Sequence, residues 1–307
     1  MCYNIIIVKF YILKFERKLM WIAKNLTDYE LIDTSDGTRL ERWGEHILVR
    51  PDPQVIWKNA KKSKLWNRAD AIYHRSSKGG GAWEIKNKNM PDSWTISTNS
   101  LTLEVRTMGF KHTGVFPEQA VNWEWASELI KNAGRPIKVL NLFAYTGAAT
   151  MACAKAGASV CHVDASKGMV AQAKANARLS GLESAPIRYI VDDCAKFVAR
   201  EIRRGSFYDA IILDPPSYGR GPTGEVWKIE DSLGEFLDLC RQVLTENPLF
   251  VLLNSYTTGL ASSTMAYMLH QSLVTKLGGR VDADEIGLNT TTTNMPLGCG
   301  ASARWTK

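Results

Sequence analysis

The sequence predicts an α/β protein: a doubly wound sheet, mostly parallel with a C-terminal antiparallel hairpin, follows a small N-terminal domain built mostly of β-strands. Three observations predict it. From Ile137 onward, short apolar runs alternate with amphipathic segments of helical period. Before Lys111, short β-type pieces are separated by Gly, Pro, Asp and Ser turns. The 307 residues exceed the roughly 250 at which a single core stops growing, so one large and one small unit fit the length.

Taken in order, the chain opens on an apolar run, Asn4 to Phe15, which Lys9 interrupts and which is too short to span a bilayer. Glu16 to Met20 offers no small-residue cleavage site, so a signal peptide is not indicated. Two readings stand for residues 1–20: a non-native or flexible extension with Met20 as the true start, or an added β-strand. Strands are expected at Asp28–Asp33, His46–Arg50 and Leu101–Arg106, within a basic β-rich domain over 21–116. Pro117 to Gly134 reads as a bridging helix, with Pro at its start, Gly past its end, and Val121, Trp125 and Leu129 on one face.

The second domain, 117–307, holds strands expected at Ile137–Ala144, Ser159–Ala165, Ile187–Asp193, Tyr208–Pro215 and Leu249–Tyr256. Helices separate them, Lys167–Leu179 and Asp231–Glu246 among them. Runs this apolar suit strands covered by helices on both faces, the Rossmann-like arrangement in which ligands sit beyond the strand C-termini. Asp282–Thr290 and Cys299–Trp305 then form the terminal hairpin across a Thr-rich, Pro-Gly loop.

Charge is uneven. Up to Pro136 there are 21 Lys and Arg against 15 Asp and Glu; after it, 17 against 16. A basic front half suits a polyanion such as RNA, and equally a solvated surface. Between Trp57 and Trp83, Lys58, Lys61, Lys62, Lys64, Arg68, Arg75 and Lys78 are interleaved with Trp57, Trp66 and Tyr73, before Gly79, Gly80 and Gly81. Cations that neutralise phosphates beside rings that stack bases would make an RNA contact; a solvated helix face with buried tryptophans is the alternative. Cys2, Cys153, Cys161, Cys194, Cys240 and Cys299 show no metal-ligand spacing. They are read as reduced thiols of a cytoplasmic protein with no metal and no membrane anchor.

The chemistry is expected at the strand ends. Asn141-Leu-Phe143-Ala-Tyr145-Thr-Gly147 closes the first strand, where Gly147 and two following alanines let backbone approach a ligand. It is not a GxGxxG sequence, which argues against a dinucleotide pyrophosphate. Seventeen residues after Gly147, Asp164 ends the second strand before Ala165 and Ser166, at the position where a carboxylate accepts ribose hydroxyls. Asp192, Asp193 and Cys194 end the third. Either acid could take an adenine amino group; Asp193 is favoured, with the other left to cap the next helix. Asp214-Pro215-Pro216-Ser217-Tyr218 ends the fourth, a rigid turn able to present a carboxylate and carbonyls to an amine or ring nitrogen, with Tyr218 as a stacking face and Gly219 and Gly221 giving the loop room to move. Cys161 and His162 are read as core.

These four strand ends, in this order and spacing, resemble the S-adenosylmethionine (SAM)-dependent methyltransferases related to bacterial 23S ribosomal RNA base methyltransferases. Gly114-Val-Phe-Pro-Glu-Gln119 and Gly298-Cys-Gly-Ala-Ser-Ala-Arg-Trp305 share the resemblance, which runs from about Leu101 to the C-terminus. It implies S-adenosyl-L-methionine as cofactor, with Tyr145 and Gly147 along its methionine end, Asp164 on ribose, Asp193 on adenine, and Phe116 and Gln119 closing over it. Asp214 to Tyr218 would face the acceptor. Two departures matter. No room is seen for the RNA-binding PUA domain with which relatives usually begin, and Leu253-Asn-Ser-Tyr-Thr-Thr258 lacks the cysteine that cytosine C5 methylation needs. Direct transfer to a base nitrogen is therefore the expected activity. Its alternatives are a small-molecule or protein N- or O-methyltransferase, and a non-catalytic RNA-binding protein of the same fold.

Overall fold

The protein, as a computed structural model, is described over residues 20–76, 80–98, 100–220 and 226–307. The run Asn4–Phe15, Lys78, Gly79 and Gly221 lie outside the described residues.

The first strand among the described residues, β1 (Trp21–Ile22), is followed by β2 (Tyr29–Ser35), β3 (Thr38–Trp43), β4 (His46–Pro51), β5 (Ala71–Arg75) and β6 (Gly81–Ile85), then by β7 (Ser93–Thr98) and β8 (Leu101–Arg106). Strands β2 to β6 form a five-stranded sheet in sequence order, antiparallel except for the β4–β5 pair, and β7–β8 is a separate hairpin. The basic stretch is not a helix: it runs as irregular chain through one 3-10 turn, Lys64–Arg68, into β5 and β6. Its rings are largely engaged. The Trp66 indole N–H donates to Asp33 at 2.9 Å, that of Trp57 donates to Thr34 at 3.3 Å, and Tyr73 is buried.

A 3-10 turn at Pro117–Gln119 leads into α1 (Ala120–Asn132). The fully buried positions of α1 are Ala120, Asn122, Trp123, Ala126 and Ile130, while Val121, Trp125 and Leu129 are only half-buried. The expected stripe is thus rotated by about one residue, because a buried Asn belongs to the inner face and apolar periodicity cannot see it.

The alternation then runs β9 (Lys138–Leu142), α2 (Ala148–Lys155), β10 (Ser159–Asp164), α3 (Lys167–Leu179), β11 (Ile187–Val191), α4 (Cys194–Arg204), β12 (Ala210–Leu213), a short ribbon of β13 (Tyr218–Arg220) and β14 (Val226–Lys228), α5 (Ile229–Arg241), β15 (Phe250–Ser255) and α6 (Ser262–Leu269). A π-helical segment, His270–Val274, extends α6 before β16 (Arg280–Asn289) and β17 (Pro296–Thr306). Strand order is β1-β16-β17-β15-β12-β9-β10-β11, parallel from β15 to β11, with β17 antiparallel to both neighbours. The predicted hairpin is present, joined by the turn 290–295; Pro296 and Gly298 lie in β17 itself.

Period-two alternation divides the core. Val139, Ala210, Ile212, Phe250 and Leu252 pack with Ala126, Ile130 and Cys153 of α1 and α2; Leu140, Leu142, Ile211, Leu213 and Leu253 pack with Phe197, Phe236 and Met265 of α4, α5 and α6. Each such aliphatic side chain contributes roughly 1.5–3 kcal/mol of burial. The β-rich front part joins this core: Leu31, Trp43 and Leu103 share one apolar cluster with Trp123, Met151 and Leu297, and β1 pairs in parallel with β16 on the large sheet. The order of strands reverses at β9, between β12 and β10, which places a crevice beyond their C-terminal ends.

Candidate active site

The turn after β9 is wound tightly. Phe143, Tyr145 and Gly147 all have left-handed backbone, with φ of 55°, 51° and 86°. For the two non-glycine residues this costs of order 1–3 kcal/mol each and persists only where surroundings enforce it. The enforcement is visible. Asp164, at the end of β10, accepts the Tyr145 amide at 2.9 Å on one oxygen and the Ser166 amide at 2.8 Å on the other. Phe143 N–H donates to the Cys194 thiol at 3.3 Å, Thr146 Oγ1 donates to the Gly114 carbonyl at 2.5 Å, and Asn176 of α3 holds the Thr146 carbonyl at 3.0 Å. The space a side chain would need at Gly147 is taken by Ala173 of α3, 2.9 Å from an ideal Cβ, so this glycine serves helix packing as well as the turn.

Beneath the turn, Asn141 donates to Thr150 at 2.9 Å and Thr150 meets His162 Nδ1 at 2.9 Å. Cys161 and His162 are buried, as expected, and burial pushes the His162 pKa down to about 4.

The third strand end departs from expectation. Asp193, the acid favoured for adenine, is itself the cap of α4, accepting the Lys196 amide at 2.9 Å, while Asp192 is ion-paired with Arg200. The cap falls to Asp193 because its backbone is extended immediately before Cys194, the first helical residue. Cys194 is buried and its thiol pKa is raised well above the ordinary value by burial.

At the fourth strand end Asp214 is half-buried, and its pKa is pushed up to about 7, chiefly by desolvation and then by the charge of Glu118. Gly114, Phe116, Gln119, Asn141, Phe143, Tyr145, Gly147, Asp214 and Asn254 line one inner recess of about 60 Å³. Pro215 to Tyr218 do not line it. The Pro216 carbonyl accepts the Trp227 indole N–H at 2.7 Å, Ser217 bonds Thr257 at 2.6 Å, and Tyr218 is half-exposed on the β13–β14 ribbon. Gly219 lies within that ribbon, opposite Trp227, rather than in a free loop. Asp164 reaches the recess through Tyr145; Ala165, Ser166, Asp192, Asp193 and Cys194 do not line it.

Several site residues escaped the sequence reading. Glu118 is 2% exposed with Oε2 lacking a hydrogen-bond partner, and desolvation raises its pKa. Gln119 donates to Tyr256 Oη at 2.8 Å and accepts from Asn122, whose amide also lies 3.0 Å from Asn254 Oδ1 and 2.8 Å from Ser302 Oγ. Arg304 closes this network on Asn122 Oδ1, held between the Trp21 and Trp125 rings at 3.8 and 4.9 Å. The one signal available was position: Asn254 and Tyr256 close a parallel strand, and Glu118 lies between Phe116 and Gln119.

The residues fit a cationic, nucleoside-bearing ligand. Two acids, the buried Glu118 and the half-buried Asp214, suit a positive centre. The rings of Phe116, Tyr145 and Tyr256, with centroids 5.6 and 5.3 Å from Phe116, supply apolar and cation–π surface. Asp164 supplies a carboxylate whose pKa burial raises. Among the described residues no cluster of His, Cys, Asp and Glu could hold a metal ion, and no helix is long and apolar enough to cross a membrane.

The profile of the S-adenosylmethionine-dependent methyltransferase family matches residues 59–239. The crystal structure of a SAM-dependent methyltransferase from Agrobacterium tumefaciens is similar over 93% of this chain and 92% of its own, at 39% identity and a TM-score of 0.87. Among curated proteins, ribosomal RNA large subunit methyltransferase I of Photobacterium profundum is 28% identical over 66% of this chain, and methyltransferase K/L of Shewanella frigidimarina is 31% identical over 45%. The matches span 54% and 19% of those relatives, so the chain covers about half of one and a fifth of the other.

Proposed function

Because the chain belongs to the S-adenosylmethionine-dependent methyltransferase family, we propose that it methylates a nitrogen of an RNA base, ribosomal RNA being the first candidate, in the cytoplasm. The observation that carries the reading is Asp214: a half-buried acid at a strand end, beside Glu118, in the recess shared with Tyr145 and Phe116. Curated relatives named as ribosomal RNA methyltransferases and the basic front half support RNA as the acceptor.

Bound SAM supplies an electrophilic methyl group on a sulfonium. Asp164 would accept hydrogen bonds from its ribose, and Tyr145, Gly147 and Phe143 would line its methionine end. Asp193, through the oxygen not spent on the α4 cap, would take the adenine edge. Phe116 and Gln119 would cover the ligand. Asp214 would accept a hydrogen from the acceptor amine, orienting that nitrogen, and would take the proton the amine releases on methylation. Alignment is the main contribution: positioning of two reactants is worth roughly 7 to 11 kcal/mol. The thiols of Cys194 and Cys240 are buried with raised pKa values and are not nucleophiles in this scheme.

The test is transfer of radiolabelled methyl from SAM into total RNA of cells lacking the gene, with protein and small-molecule fractions counted alongside. Label in RNA is the expected result. Label confined to protein or metabolites removes the RNA acceptor and leaves the family assignment intact.

A further inference from the structure

The segment between β8 and the Pro117–Gln119 turn carries a run of rings that leads out of the recess. Phe116 lies against Tyr145 and Tyr256 inside, at 5.6 and 5.3 Å between centroids. His112 lies 5.2 Å from Phe116, and Phe110 lies 6.3 Å from His112. Phe110, the outermost, is 57% exposed.

The loop is held in place by the front sheet. Arg106 N–H bonds the Thr113 carbonyl at 3.0 Å and closes its base. The Trp83 indole of β6 donates to the carbonyls of Met108 and Phe110, at 2.9 and 3.2 Å, and Arg50 of β4 donates to that of Lys111 at 3.0 Å. Arg50 is in turn buried, bonded to Glu41 at 2.6 Å and lying over the Trp43 ring. An exposed aromatic side chain on a backbone anchored this way loses little entropy when a ligand packs on it.

The surroundings are cationic. Arg39, Arg50 and Arg75 act electrostatically on Lys111 against Asp52; Arg39 and Arg50 are themselves buried and paired with Glu41 and Asp52. Burial first, then Arg50, Lys111 and Arg39, lower the His112 pKa to about 4, so its ring is neutral at physiological pH. Flat rings beside basic groups, continuous with a recess that ends in an acid, match the chemistry of an unpaired nucleobase on an anionic backbone.

We propose that Phe110, His112 and Phe116 form a stacking stair that admits single-stranded or looped-out RNA and delivers one unpaired base to Asp214. This rests on the RNA acceptor argued above and specifies its form: a base in a duplex is stacked and cannot use the stair.

The experiment is fluorescence polarisation of a labelled mixed-sequence 12-nucleotide oligoribonucleotide, single-stranded or annealed to its complement, with wild type, Phe110→Ala and Phe110→Trp. Binding of S-adenosylhomocysteine and the melting temperature serve as folding controls. The stair requires tighter binding of the single strand than of the duplex, a loss of about tenfold or more in Phe110→Ala, as for one stacked base, and recovery in Phe110→Trp. Equal binding by wild type and Phe110→Ala overturns the stair while RNA labelling by wild type keeps the RNA reading. No oligoribonucleotide binding, with label entering protein alone, overturns both.

Discussion

The backbone amide of Tyr145 donates to Oδ2 of Asp164 at 2.9 Å, so the acid that ends one strand holds the left-handed turn that ends its neighbour. A carboxylate proposed to bind ribose is thereby also the clamp of the loop proposed to bind methionine. Asp164→Ala removes both bonds at once. S-adenosylhomocysteine affinity, measured by calorimetry, is expected to fall about tenfold or more. Asp164→Asn, whose one carbonyl oxygen still accepts, is expected to lose less.

The role proposed for Asp214 makes transfer depend on pH. Its pKa lies near 7 in the folded protein against an ordinary 3.8. The folded state therefore holds this proton more tightly than the unfolded chain. The associated stability is present below about pH 4 and is lost as pH rises from there to about 7. The carboxylate that accepts the amine hydrogen forms over the upper end of that window, so turnover at saturating SAM is expected to rise through pH 7 and level off. Asp214→Asn should abolish that limb and lower turnover about 100-fold, with S-adenosylhomocysteine binding largely kept. A normal rate with weakened cofactor binding would refute the acceptor role.

Asn122 ties α1 to β15 and β17. Its two amide hydrogens are shared among Gln119, Asn254 and Ser302, and its oxygen accepts from Arg304. Asn122→Ala leaves Arg304 bonded to the Val121 carbonyl without its second acceptor, and takes the amide donor away from Gln119, Asn254 and Ser302. Urea unfolding should show a loss of about 2–3 kcal/mol, and the Gln119–Tyr256 contact beside the recess should loosen with it.

Gly147→Ala meets two obstacles, a φ of 86° and the Ala173 Cβ 2.9 Å away. A loss of about 1–3 kcal/mol is expected. Ala173→Gly removes only the second obstacle and carries its own helix penalty of about 1 kcal/mol. The double variant should be more stable than the sum of the two single losses predicts, yet less stable than wild type. Additive losses would mean that the turn, not the packing, sets the whole cost.

The strand ends and their acids were legible in the sequence because buried parallel strands are continuous apolar runs: where Leu140, Leu142, Ile211 and Leu213 stop, the next polar residue faces the crevice. Asp164 and Asp214 were found that way, and so were the helix Lys167–Leu179 and the closing hairpin. Which of Asp192 and Asp193 caps α4 was decided by one residue's backbone angles, which composition does not encode. Glu118, Asn122, Asn254 and Arg304 read along the chain as ordinary surface residues; Asn122 and Asn254 are buried with partners from 132 to 182 positions away satisfying Asn122. The basic stretch shows the converse: its tryptophans bond into the front sheet, while the rings proposed to receive a base come from the loop that Arg50 and Trp83 pin. Local periodicity determined the layers and the strand-end acids. Only long-range hydrogen bonding, which makes the burial of a polar group tolerable, decided the inner wall of the site and its approach.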